Sequence, residues 1–538
     1  MVSLALAVQA GFLLVLASSA VALWYFERPL APLRGRLRSR LLFGVPWGTL
    51  ITILGVLLVY LFLQRGIEGL RTPLTLPFFS WSYGYPLGLL TAPFSHGSAG
   101  HVTGNLLATL VLAPLAEYAW GHFPSERGTS SFGSLRTNPY LRAFVFFPLG
   151  VVLVGLLSTP LHWGPVIGFS GVVFAFAGFA LVRYPIWTVL ALVVRTAVGT
   201  AYYALLDPVV VASASTSYGL PSWVGISIQG HLIGLFVGVL LGVLVFARRD
   251  SQATAARIWT AVVLVSVSLG LYSLWWYRGN ETFVLYRGPG IVFVLGLALF
   301  VVLAVRASRG SSRGRVSHRT LAAAMILVPL LVMAVIAVPV NTTTVSGGPP
   351  AEQSVAVEGY TVAYGENVSY QRLSSIDLEF FRETTQVNTS GVIVVNEARG
   401  IWTQVISPRS LAFDDTQTIR VGGVGWERQV TAHREAWTAT GGEPAYQVFL
   451  QPDGAPATKV FASDPSQAEP VLAGRNVSID PGPDEFELTV SQNETVVGSG
   501  PLPDAGESTT VGKLTFLRED DALLARFQNT TVQIATQQ

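Results

Sequence analysis

Hydrophobic positions fall into two regimes that meet near residue 340. Before it, apolar runs lie near 4–26, 43–64, 96–119, 142–160, 169–186, 187–206, 229–247, 258–277, 290–307 and 320–340. Each is close to the ~20 residues that carry a helix across a bilayer. After it come short alternating runs such as VAVEGYTVAY (355–364), GVIVVNEA (391–398), YQVFL (446–450), FELTV (486–490) and KLTFL (513–517). Period-two alternation broken by Pro, Gly, Asp and Asn predicts strands. The expected fold is a polytopic α-helical membrane protein of about ten spans followed by an all-β, sandwich-like domain, with SGGPPAEQS (346–354) as linker.

Composition agrees. The 538 residues are 51% hydrophobic and 12% charged, with mean hydropathy +0.50. Residues 1–340 hold 7 acidic residues and 22 arginines, and residues 341–538 hold 25 acidic and 12 basic ones. The net charge of +2 therefore hides a basic membrane half and an acidic tail. Cysteine is absent, which excludes disulfides, thiol catalysis and Cys-based metal sites.

Arginines orient the runs, because basic loops stay in the cytoplasm. Arg34, Arg36, Arg38 and Arg40 follow the first run; Arg127, Arg136 and Arg142 follow the third; Arg183 follows the fifth. Arg248, Arg249 and Arg257 follow the seventh, and Arg306, Arg309, Arg313, Arg315 and Arg319 the ninth. Every second connection is basic, so both termini and the tail are expected outside a plasma membrane crossed many times. The N-glycosylation acceptors Asn280, Asn341, Asn367, Asn388, Asn476, Asn493 and Asn529 all fall on that outer side. Ala20-Val21-Ala22 looks like a signal-cleavage site, but no positive charge precedes the first run and a basic cluster follows it. An uncleaved anchor is expected.

Polar groups inside spans are costly and mark function. Three runs carry them near their outer ends: SHGSAGHVTGN with His96, His101 and Asn105; GFSG with Gly168, Ser170 and Gly171; and His231 at the head of GHLIGLFVGVLLG. Singly, each has a bland reading as a packing or hydrogen-bonding residue. Together, at one depth, they make a reaction possible. A serine hydroxyl needs a base to take its proton, and histidine suits that task. Acyl transfer also needs donors at the developing oxyanion; His101 and Asn105, four residues apart, offer them on one helix face. No carboxylate is placed as a third member, since Glu117 and Asp207 lie at other depths.

Gly230, Gly234, Gly238 and Gly242 line one face of the His231 helix. A glycine mid-helix costs about 0.5–1 kcal/mol relative to alanine. The ladder predicts backbone-distance packing against the Ser170 helix, whose facing positions Gly171, Ala175 and Gly178 are also small.

The ordered set H-x4-H-x3-N, G-x-S-G and H-x2-G-x3-G resembles the rhomboid family of intramembrane serine proteases, over about residues 43–247. The resemblance implies Ser170 as nucleophile and His231 as its base. His101, Asn105 and the Ser170 amide would bind the oxyanion, with His96, Gly168 and Gly171 supporting and Gly234 and Gly238 packing. It implies transmembrane protein substrates in a lipid bilayer, cut near their outer ends, with no cofactor, no metal and no nucleic acid. Family members often carry tyrosine where this chain has Phe174, and a Trp-Arg pair where it has WSYGYP (81–86). His162 reads as a loop residue near the site, His433 as a surface residue, and Arg195 has no sequence rationale.

The organisation expected is an extra helix and basic loop (1–42), a six-span rhomboid-like core (43–247), three further helices (248–340), a linker (341–354) and an outer acidic β domain (355–538). An HExxH zinc motif, paired membrane aspartates and the halves of a transporter repeat are all absent from the sequence. The rival reading is a rhomboid-like protein that binds membrane clients without cutting them. Its outer β domain would then recognise an extracellular ligand.

Overall fold

A computed structural model describes residues 2–27, 30–124, 127–208, 221–246, 253–308, 317–345, 353–374, 379–380, 383–384, 386–483 and 485–538. Arg248, Arg249, Arg309, Arg313, Arg315 and most of the 346–354 linker lie outside the described residues. The chain divides into two compact units. One holds residues 1–278 and 282–343, the other 279–281 and 344–538.

In the first unit seven described helices are long and apolar enough to cross a membrane: Ala5–Ala22, Ala99–Trp120, Pro139–Leu161, Pro185–Leu206, Ile228–Phe246, Arg287–Ala307 and Thr320–Thr342. Three shorter apolar helices, Trp47–Leu63, Ser170–Arg183 and Ala255–Ser268, stand at the other expected runs. The protein is therefore a multi-pass membrane protein.

Two of the expected runs end early, for local reasons. Ser170–Arg183 has 14 residues, about 21 Å at 1.5 Å per residue, because Pro185 keeps Tyr184 out of the helical region. The expected run 258–277 is a helix only over Ala255–Ser268. Gly270, at φ +81°, turns the chain out of it, and the remainder forms a short hairpin, Trp275–Tyr277 with Phe283–Leu285. A second difference lies on the cytoplasmic side proposed above, where the basic segment Leu30–Arg40 is helical rather than a loop.

The Ser170 helix is the centre of the unit, buried from Val172 to Val182 with few breaks. It packs between Ile228–Phe246 and Ala99–Trp120 in one apolar cluster. Ile258, Val262, Val294, Val301, Ile326 and Leu330 belong to that same cluster. The three helices after the core are thus built into it. By contrast, the Ala5–Ala22 window has none of its residues buried.

The second unit is all strands in antiparallel sheets, apart from short helical turns. An eight-stranded sheet spans Thr416–Gln537 and includes Trp426–Ala439, Leu514–Glu519 and Thr530–Gln537. A four-stranded sheet includes Asn476–Pro481 and Phe486–Gln492. Val477, Ile479, Leu488 and Val490 of the latter share one core with Leu514, Phe516, Leu523 and Ile534 of the former, as the inner faces of a sandwich do. A further four-stranded sheet, Ser354–Val357, Tyr360–Ser369, Asn388–Asn396 and Ile401–Ile406, encloses Trp402. The run VAVEGYTVAY is a hairpin rather than one strand: Glu358 and Gly359 both take positive φ, and Val357 pairs with Tyr360.

Candidate active site

The glycine ladder brings two backbones into contact. A Cβ placed at Gly234 would lie 1.9 Å from the carbonyl oxygen of Gly171, and one at Gly238 would lie 2.1 Å from that of Ala175. From the other side, a Cβ at Gly178 would lie 2.4 Å from the Leu235 carbonyl oxygen. No side chain fits at these three places. The small faces read from the sequence therefore meet each other.

This contact brings the heads of the two helices together: a Cβ placed at Gly171, next to Ser170, would lie 3.5 Å from the carbonyl oxygen of Gly230, next to His231. Phe174, one turn below Ser170, stacks on the imidazole of His231 with ring centroids 4.2 Å apart and planes 17° from parallel. Residues four apart share a helix face, so Ser170 is on the same face as the stacked ring. His231 is buried and its Nδ1 has no hydrogen-bond partner. Ser170 Oγ and the His231 ring are not hydrogen-bonded to each other. Such bonds are often long in unliganded sites.

The GFSG loop is fixed from several sides. The Gly168 amide donates to the Ala92 carbonyl at 2.9 Å, and the Phe169 amide to His96 Nε2 at 3.4 Å. The Ser80 amide donates to the Val166 carbonyl at 3.1 Å, and Ser80 Oγ accepts from the Val166 amide at 3.2 Å. Gly168 has φ +133°, and a Cβ there would lie 2.7 Å from His101 Cε1 and 2.8 Å from its Nε2. Only glycine meets both demands.

His101 and Asn105 accordingly flank the serine turn. Ser98 caps their helix, accepting from the His101 amide at 3.2 Å. His101 Nδ1 accepts from the Gly97 amide at 3.4 Å, which assigns the ring proton to Nε2, the atom beside Gly168. Asn105 is 8% exposed and its Nδ2 has no partner. A buried unpaired donor is costly, and this one lies 3.9 Å from the same Gly168 position. Two side-chain N–H donors thus lie near Gly168, at the N-terminus of the Ser170 helix, an arrangement able to stabilise developing negative charge. A cavity of about 30 Å³, lined by Ser158, His162, Gly168, Ser170 and Gly171 among others, adjoins it. That is room for a water.

Sequence reasoning missed several supports. Gln64, fully buried, accepts from the His96 amide at 2.7 Å and donates to the His96 carbonyl at 2.8 Å. It sits in no motif. His162 is not a loose loop residue: it is 8% exposed and its ring lies against Gly230, where a Cβ would come within 1.9 Å of Cε1. Glu117 lies far from the serine, as expected. It accepts from the amides of Gly48 and Thr49, both at 2.8 Å, and pairs with His122 Nε2 at 2.7 Å. The Nε of Arg195 is buried without a partner, and nothing in the structure explains it. His433 is half-exposed beside Glu435, and no group of three or more His, Cys, Asp or Glu among the described residues is arranged to hold a metal.

One glycosylation candidate is corrected. Asn341 is 4% exposed, and both ends of its amide are engaged, with His162 and Gly164. A glycan has no room at that nitrogen. Asn280, Asn367, Asn388, Asn493 and Asn529 are exposed and Asn476 half-exposed.

The family model of the Rhomboid domain matches residues 83–248. The chain thus carries a rhomboid domain, with further membrane helices before and after it and an all-β region at its C-terminal end. No curated protein and no solved structure matches the chain.

Proposed function

We propose that the protein is an intramembrane serine endopeptidase that hydrolyses peptide bonds in or near transmembrane segments of other membrane proteins. The observation that supports this reading is the packing of the Ser170 and His231 helices at backbone distance, with His101 Nε2 and the unpaired Asn105 Nδ2 beside Gly168 of the serine turn. Ser170 Oγ attacks the scissile carbonyl and gives its proton to His231. The oxyanion accepts from His101, Asn105 and the Ser170 amide. The C–N bond breaks as His231 returns the proton to the leaving amine. Water then hydrolyses the acyl-enzyme, with His231 again as base. An intact helix shields its carbonyls, so the substrate must unwind near its outer end.

The site would open to the outer side of the plasma membrane, with both termini and the β domain also outside. The six acceptors other than Asn341 would carry any glycans. One rival is a rhomboid-like protein that binds clients without cutting them, a role that needs no Ser170–His231 hydrogen bond. Labelling with a fluorophosphonate probe separates the two, because such probes trap only an activated serine. Labelling of the wild type, lost in Ser170→Ala and in His231→Ala, is the expected result. A folded wild type that does not label would overturn the protease reading.

A further inference from the structure

The helix His318–Thr342 lies beyond the matched domain, yet its last turn reaches the serine site. Asn341 is the point of contact. Its Nδ2 donates to the His162 carbonyl at 2.6 Å, and its Oδ1 accepts from the Gly164 amide at 3.2 Å. Its own carbonyl accepts from the Tyr83 amide at 2.9 Å, and the Tyr83 hydroxyl donates to the Pro160 carbonyl at 2.6 Å.

A second side-chain amide holds the same loop. Gln229, two residues before His231, accepts from the Trp163 amide at 2.7 Å and donates to the Leu161 carbonyl at 3.2 Å. Four backbone groups of residues 161–164 are thus divided between the two: the Leu161 carbonyl and Trp163 amide on Gln229, the His162 carbonyl and Gly164 amide on Asn341. Held this way, the loop presses His162 onto Gly230 and makes it a wall of the cavity beside Ser170. A half-buried loop tied at four backbone groups by two side-chain amides is restrained while both are present.

We propose that Asn341 is a positioning residue for the serine–histidine site, so that the last membrane helix is part of the proteolytic machinery. It acts through the 161–164 loop and His162, which define the space beside Ser170 and the seating of the His231 helix at Gly230. This rests on the protease reading above. The polypeptide enters the second unit immediately after Thr343, so tension or ligand binding in the outer domain has a covalent route to this clasp. A glycan on that amide nitrogen would need space that its burial against the His162 carbonyl does not leave.

The test uses the full chain in detergent or liposomes, with Asn341→Ala, Asn341→Asp and Thr343→Ala. Asn341→Asp keeps an acceptor for Gly164 and loses the donor to His162. Thr343→Ala destroys the glycosylation acceptor and keeps Asn341. Two readouts are taken: amide hydrogen exchange over residues 159–168, which needs no activity, and the rate of fluorophosphonate labelling with kcat and KM on a transmembrane substrate. Expected is faster exchange in Asn341→Ala, a fall of about tenfold or more in labelling rate and kcat, and little change in KM. Asn341→Asp should fall between, and Thr343→Ala should match the wild type.

Unchanged exchange in Asn341→Ala would overturn the clasp. Faster exchange with unchanged labelling and kcat would overturn the positioning role, and so would a loss in Thr343→Ala equal to that in Asn341→Ala. If the wild type neither labels nor cuts, the protease reading fails and takes the positioning role with it, while exchange still decides whether the clasp exists.

Discussion

Phe174 and His231 stack nearly parallel, 4.2 Å between ring centroids, one helical turn below the candidate nucleophile. The aromatic ring at this position needs no hydroxyl to seat the imidazole. An aromatic pair of this kind is worth about 0.5–1.5 kcal/mol beyond its burial. Phe174→Ala should therefore slow fluorophosphonate labelling about two- to tenfold or more, and Phe174→Tyr should label as the wild type does. Equal rates in Phe174→Ala and wild type would show that the stack does not seat the base.

The glycine ladder makes a position-specific prediction. Gly234→Ala and Gly238→Ala each drive a methyl group into a carbonyl oxygen of the facing helix, at 1.9 and 2.1 Å. The helices must part, and labelling should be abolished while the chain still inserts. Gly234→Leu should do the same. Gly296→Ala meets nothing within 4 Å and should leave labelling intact. A fully active Gly234→Ala protein would contradict the packing.

Asn105 is held with an unpaired donor in a buried place, which costs stability unless an oxyanion uses it. Asn105→Ala should lower kcat by about 10²–10³-fold with little effect on KM. The same variant should be no less thermostable than the wild type. A loss expressed in KM alone would move Asn105 from oxyanion binding to substrate binding.

At the far end of the same helix the buried carboxylate of Glu117 ties the start of Trp47–Leu63 to His122, whose Nδ1 accepts from the Leu42 amide at 2.8 Å. Removing one partner of such a buried network costs on the order of 3–5 kcal/mol. Glu117→Ala should lower the melting temperature markedly in detergent, while the fraction that remains folded still labels. A variant that melts with the wild type would show that the network is dispensable.

In the β domain, burial raises the carboxyl pKa of Glu366, Asp464 adds to the rise, and the hydrogen bond from Tyr364 works against it. The folded state therefore binds the Glu366 proton at a pH where the unfolded state has released it. That contribution to stability is full below the ordinary glutamate value and is lost as pH rises through the folded value. Glu366→Gln, which resembles the protonated form, should slow exchange along Tyr360–Ser369 relative to wild type at neutral pH, and the two should converge in mild acid. A gap that widens in acid would reverse the sign.

The sequence by itself determined the membrane class, the all-β tail and the two small helix faces that pack on each other. These are local signals. Twenty apolar residues, a period of two, or glycines four apart each impose one structure wherever they occur, and the rhomboid motifs lie within spans whose helical form was already set. Even the ladder's partner face was legible, because small residues at Gly171, Ala175 and Gly178 share one side of a helix. Only tertiary structure decided what depends on polar groups distant in sequence. Gln64 under His96, His122 against Glu117 and Asn341 on the 161–164 loop carry no local pattern, and Asn341 meets His162 across 179 residues. Buried polar side chains of this kind are chosen by the backbone groups that packing leaves unpaired, and those groups are known only once the helices are in place.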